Sequence, residues 1–200
     1  MNKIASWVYN PFRQIAGWKA FAIGLIILCV TTVIGYFGNT VFFGISVKLV
    51  ASVTWFRAFF VQGLGLAVTA LVMWIIALLS AKHVRFQDIL GTVTLSKYPL
   101  VFAAIVFWIF GKRFIELTEK MESFANIQEI KDIISKLSLS DYALFAMMVI
   151  VSILILVWTI TLLFNAFRVS TNLKEVKCAL LFMAALLISE IINNVLYFTL

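Results

Sequence analysis

Five apolar blocks, separated by shorter polar intervals, organise this chain. They run from about Ala20 to Phe37, Phe59 to Ala81, Tyr98 to Ile115, Tyr142 to Phe164 and Lys177 to Phe198. A helix needs about 20 apolar residues to cross the hydrocarbon core of a bilayer. The expected fold class is therefore an all-α membrane protein, a five-span transmembrane helix bundle with amphipathic interfacial helices, forming a single domain over residues 1–200. The first two blocks hold no charge. Gln62, Gly63, Gly65 and Ala67 give the second a patch of small residues, the kind that lets helices approach closely in lipid. The third block is the weakest. Tyr98 to Gly111 is short for a crossing and reaches full length only if Phe114 and Ile115 are included, with Lys112 and Arg113 snorkelling to the headgroups.

The intervals have patterns of their own. Between Thr40 and Phe56, Val41, Phe43, Ile45, Val47, Leu49, Ala51, Val53 and Trp55 recur at the period of a strand. A helical stripe through Phe42, Ile45, Leu49, Val53 and Phe56 fits the same residues. Lys48 argues against a sixth crossing, because a charge at mid-bilayer costs about 2.5–3.5 kcal/mol on the insertion scale. The interval reads as an interfacial element of either conformation. From Lys82 to Pro99, the residues Phe86, Ile89, Leu90, Val93 and Leu95 keep one side apolar and predict a short helix lying on the membrane surface. Pro99 then restricts Tyr98 to an extended backbone. The interval 112–141 mixes Phe114, Leu117, Met121, Phe124 and Ile127 with Glu116, Glu119, Lys120 and Glu122, an amphipathic outer segment. Ser140-Asp141 would cap the fourth span.

Composition agrees with lipid as the solvent: 64% of residues are hydrophobic and 12% charged, against about 45–50% and about 25% in soluble domains. The net charge of +7 does not point to nucleic acid, because the Lys and Arg residues flank the apolar blocks as anchors. Trp7, Val8, Phe12 and Trp18 suit a segment at the headgroup level before the first span, with Asn10-Pro11 breaking it and no cleavable signal peptide evident. Cys29 and Cys178 are expected to be packing residues. His83 is the lone histidine, and no metal or cofactor site is expected.

Orientation follows the basic residues. If all five blocks cross, the N-terminal tail shares one side with the 82–97 and 168–177 intervals, which together hold nine Lys and Arg against seven opposite. That side is assigned to the cytoplasm. A re-entrant third block gives eleven against five, but it exports the compact cluster Arg168, Lys174 and Lys177. The counts alone leave both arrangements open.

The stretch FQDILGTVTLSKYPL (Phe86–Leu100) resembles the amphipathic loop before the third span of the Yip domain family, the Ypt/Rab-interacting multi-pass membrane proteins. WTITLLFNAFRVSTNLKEVKCALLFMAALL (Trp158–Leu187) is similar to that family's last helical hairpin, and Asn10-Pro11-Phe12 is similar to its bacterial members. The resemblance implies five spans in a cell inner membrane, with the N-terminus cytoplasmic and the C-terminus outside. It also implies a non-enzymatic role organising partner proteins or lipids. Eukaryotic members recruit Rab GTPases through a long N-terminal region. The chain has about nineteen residues there, so a bacterial or archaeal Yip-like protein is the better match.

Candidate chemistry inside the spans is sparse. Glu190 is the single acidic residue in the five blocks. An ionised carboxylate at that depth must be protonated, paired or in contact with water. Ser189, Asn193 and Asn194 share its helix face. One reading is a proton, ion or headgroup site, as in a small transporter or lipid-translocating protein. The other is a hydrogen bond between helices, for example to Gln62. Asn165 and Arg168, at the end of the fourth span, either bind a lipid phosphate or simply close a helix end. No GxSxG, HExxH, P-loop or GxGxxG context occurs, so no enzyme is expected. The expected partners are membrane lipids, other membrane proteins or a second copy of the chain.

Overall fold

A run of apolar residues in lipid satisfies its backbone most readily as a helix, and the computed structural model has a long helix in each of the five blocks. It describes residues 9–50, 52–80, 84–122 and 138–199. After a single 3-10 turn at Pro11–Arg13 come α1 (Gly17–Phe37), strands β1 (Thr40–Phe43) and β2 (Ser46–Leu49), and α2 (Trp55–Ser80). Then follow α3 (Phe86–Leu95), α4 (Leu100–Glu122), α5 (Leu139–Thr171) and α6 (Glu175–Thr199). Five segments are long and apolar enough to cross a membrane: 17–37, 55–80, 86–113, 139–171 and 176–199. The outward faces carry large apolar side chains, such as Ile150, Ile153, Leu154 and Val157 on α5. An exposed surface of that kind, on helices of spanning length, suits lipid around it.

The third crossing is a broken helix. α3 and α4 are separated by a turn over residues 96–99. Pro99 has no N–H to continue the helical ladder, and the carbonyl of Leu95 accepts instead from Tyr98 N at 3.2 Å. The expectation of a surface-lying helix at 82–99 is therefore corrected. α3 is helical, but Ile89 and the residues from Gly91 to Leu95 are buried, packed against α1, α2 and α5. Close packing is possible because a Cβ on Gly24 of α1 would stand 2.7 Å from the backbone of Thr94 and Leu95. With α3 inside, the third span gains the length that Tyr98–Ile115 lacked.

The interval 40–49 is an antiparallel hairpin, with Thr40 opposite Leu49 and Phe43 opposite Ser46. This decides between the two conformations left open and corrects the interfacial placement. Every residue of β1 is buried, with Phe42 and Phe43 seated among the helices in separate apolar clusters. The hairpin leaves α1 at one end of the bundle and dips back between the helices. Irregular backbone at membrane depth is tolerated only where protein encloses it.

Threonines at helix contacts return their hydroxyls to their own helix: Thr31 to Ile27 O, Thr69 to Gly65 O, Thr159 to Ile155 O and Thr171 to Phe167 O, each at 2.7–2.8 Å. α5 starts with a capping box in which Ser138 is the N-cap and Asp141 the third residue. The cap thus lies two residues before Ser140-Asp141. α5 ends at Asn172, left-handed at φ 52°. Of the expected small-residue patch on α2, Gly65 is buried at the hairpin, while Gly63 and Ala67 face outward. Phe12, expected at the headgroup level, is buried with Ala20, Leu95, Leu162 and Ala166. Trp18 is exposed, and Trp7 and Val8 lie outside the described residues. Of the amphipathic outer segment 112–141, residues 112–122 continue α4 as helix and residues 123–137 lie outside the described set. Cys178 is buried and Cys29 exposed.

Candidate functional site

The hairpin turn is the point where the intramembrane polar residues converge. A two-residue turn, Gly44-Ile45, joins β1 to β2 and needs a residue tolerant of positive φ at its first position. Gly44 supplies it at φ 60°. A side chain there would also run into the Glu190 carboxylate and the Asn193 amide. The turn reaches the bundle interior through Gly65 of α2, where a Cβ would come within 2.7 Å of Gly44 N.

Two charged side chains grip this turn. Lys97, in the break between α3 and α4, donates from Nζ to the carbonyl oxygen of Gly44 at 3.1 Å. The backbone N–H of Ile45 donates to Glu190 Oε1 at 2.9 Å. The carbonyl and N–H belong to one peptide group, so the cation sits at its negative pole and the anion at its positive pole. Ser46 Oγ adds a bond to Glu190 Oε2 at 3.2 Å, and Asn193 Nδ2 lies 3.4 Å from both Glu190 Oε1 and Thr69 Oγ1. Lys97 retains only 2% of its surface. Burying one such charge alone costs several kcal/mol in a real protein, and opposite charges linked through hydrogen bonds recover much of that.

On the α6 side, Asn194 Nδ2 donates to Glu190 O at 3.0 Å, and Lys48 Nζ donates to Asn194 Oδ1 at 3.3 Å. The Lys48 ammonium lies 3.7 Å from the Tyr197 ring centroid, a cation–π contact. Lys48 thus runs toward the C-terminal end of α6 and is a second cation within electrostatic reach of Glu190.

Of the expected residues, the structure brings Glu190, Asn193 and Asn194 together. Gln62 stands apart: its Oε1 lies 2.6 Å from Thr32 Oγ1, so the suggested Gln62–Glu190 bond is replaced by one to α1. Asn193 Oδ1 and Gln62 Nε2 are buried with no partner among the described residues. Ser189 is fully buried and donates to Leu186 O at 2.9 Å. Sequence reasoning missed Lys97, which counted as a loop charge, along with Thr69 and the backbone of residues 44–46. A signal was present in each case. Lys97 lies two residues before a proline in an apolar context, and Gly44 interrupts a strand-like alternation.

Asn165 and Arg168 lie elsewhere, on α5 at the end of the bundle where α1, α3 and α6 begin. Asn165 Nδ2 donates to the carbonyl of Tyr9 at 2.8 Å. With Asn10, Arg13, Asn172 and Lys174 they line a cavity of about 670 Å³. Arg13 and Lys174 were not anticipated, because they are near Arg168 only through the fold. No family model matches the chain, and neither a curated protein nor a solved structure matches it.

Proposed function

We propose that the chain is a non-enzymatic multi-pass membrane protein of the Yip type, resident in a cell inner membrane, that organises lipids or partner proteins. The single observation that supports this reading is the engagement of the buried Lys97 and the half-buried Glu190. Lys97 and Glu190 are both bound to the peptide group between Gly44 and Ile45, a structural use for each residue that calls on no substrate. The resemblance of Phe86–Leu100 and Trp158–Leu187 to the Yip family supports the same conclusion, and with it a cytoplasmic N-terminus and external C-terminus. The test is reconstitution of the purified chain in proteoliposomes with a proton-sensitive dye and a fluorescent phospholipid. This reading expects no proton flux and no lipid scrambling above protein-free vesicles, and recovery of stable lipid or protein associates after cross-linking.

One observation favours a second reading, a small transporter or lipid-translocating protein. A broken helix meets a re-entrant segment at the depth of Glu190, and secondary transporters often bind substrates at discontinuous helices near the bilayer midplane. Flux that is present in the wild type and lost in Glu190→Ala would establish that reading and overturn the first.

A further inference from the structure

The basic cavity at the α5–α6 turn lies outside the polar centre and has a composition of its own. Arg13 closes the 3-10 turn, Arg168 stands in the last turn of α5, and Lys174 lies in the link to α6. Three residues fold into this corner by identifiable means. The bond from Asn165 to the Tyr9 carbonyl pins the N-terminal segment across α5, which brings Asn10 and Arg13 to the cavity wall. Asn172, left-handed at the helix end, turns the chain so that Lys174 follows on the same side.

Among the described side chains, the eight that line the cavity include three cations, three amides and no carboxylate. Closing a helix end does not account for this much charge. The C-terminus of α5 contributes about half a negative charge and the N-terminus of α6 about half a positive one, so the helix ends cancel and do not balance the three cations. The volume, about 670 Å³, falls within the roughly 300–1,000 Å³ of small-molecule sites. Val169 and Leu173 add apolar wall. The amide oxygen of Asn10 is buried with no partner among the described residues, an acceptor suited to a ligand hydroxyl.

We propose that this cavity binds the phosphate of an anionic glycerophospholipid headgroup. The guanidinium forks of Arg13 and Arg168 suit phosphate oxygens, and Lys174 acts as a point charge. Free phosphate shares this chemistry. The lipid is the favoured source because the cavity lies at the ends of spanning helices, where headgroups are concentrated. The proposal rests on the lipid-organising reading and gives it a named site, and a binding measurement can fail here while the flux result stands.

The test uses the full chain in phosphatidylcholine nanodiscs, titrated with short-chain phosphatidylglycerol, short-chain phosphatidylcholine or inorganic phosphate. Saturable binding of phosphatidylglycerol, weakened about tenfold or more in Arg168→Gln and again in Arg168→Gln/Lys174→Gln, is the expected result. Arg168→Lys, which keeps the charge but loses the fork, should fall between wild type and Arg168→Gln. Lys19→Gln, an exposed cation outside the cavity wall, should bind as the wild type does. Arg168 and Lys174 are exposed, so their replacement should leave the fold intact, checked by circular dichroism. Unchanged affinity in the folded double variant, or equal affinity for phosphatidylcholine, overturns the site. Inorganic phosphate binding as tightly as phosphatidylglycerol overturns the lipid as its source.

Discussion

Lys97 and Glu190 hold the two poles of a single peptide group: the ammonium binds the carbonyl of Gly44 at 3.1 Å and the carboxylate accepts from the N–H of Ile45 at 2.9 Å. They are an ion pair with a peptide inserted between the partners. A turn placed among apolar helices leaves its backbone dipole without water, and unpaired polar groups are costly there. Each charge answers that need and each offsets the other, so the two residues and the turn form one unit.

The unit predicts coupled energetics. Lys97→Met leaves the Gly44 carbonyl unpaired and Glu190 with Lys48 as a remaining cation, and should destabilise the bundle by about 1–3 kcal/mol. Glu190→Gln leaves the buried Lys97 ammonium without its counter-charge and should cost about 3–5 kcal/mol. The double variant should be less damaged than the sum of the singles, because the buried Lys97 charge is then gone along with its partner. A double-mutant cycle of thermal unfolding in detergent, followed by tryptophan fluorescence, reads this directly. Strictly additive losses would show that the two residues act independently.

Gly44→Ala should cost more than Gly63→Ala. Alanine at position 44 meets both a positive φ and the Glu190 carboxylate, a strain of about 1–3 kcal/mol before the clash is counted. A Cβ at Gly63 meets nothing within 4 Å, and alanine there is a better helix former. Equal melting temperatures for the two variants would place the turn elsewhere than described.

The hairpin should be closed to water. In a Cys29→Ser/Cys178→Ala background, a cysteine replacing Val41, which is 4% exposed, should resist a hydrophilic maleimide. One replacing the exposed Arg57 should react. Labelling of position 41 at the rate of position 57 would mean that the strand lies on the surface. In intact cells, the proposed orientation also expects reaction from outside at position 57 and none at a Lys19→Cys site.

Ser138→Ala should lower stability by about 1 kcal/mol. The Ser138 hydroxyl accepts from Asp141 N, and the Asp141 carboxylate returns bonds to Ser138 N at 3.3 Å and Ser138 Oγ at 2.8 Å. The same carboxylate meets Arg113 of α4 at 2.9 Å, so loss of the cap should also loosen α5 from α4. Hydrogen exchange of the amides from 139 to 142 checks this, and protection equal to the wild type would remove the cap from the account.

Five apolar blocks and their lipid surroundings followed from the sequence by itself, because helix length and uniform hydrophobicity are local properties that lipid reads directly. Asn193 and Asn194 also followed, since residues three and four positions from Glu190 share its helix face. The tertiary structure decided what one-dimensional patterning leaves undetermined. α3 has the amphipathic pattern of a surface helix, and only its contacts with α1, α2 and α5, close at Gly24, show that it packs inside. Residues 40–49 fit a strand or a helix, and the grip of Lys97 and Glu190 on residues 44 and 45 makes an enclosed hairpin affordable. Lys97 itself looks like one more basic flank along the chain. Its role exists only because the break before Pro99 falls at the depth where the hairpin turns, a coincidence of three distant segments that no local pattern encodes.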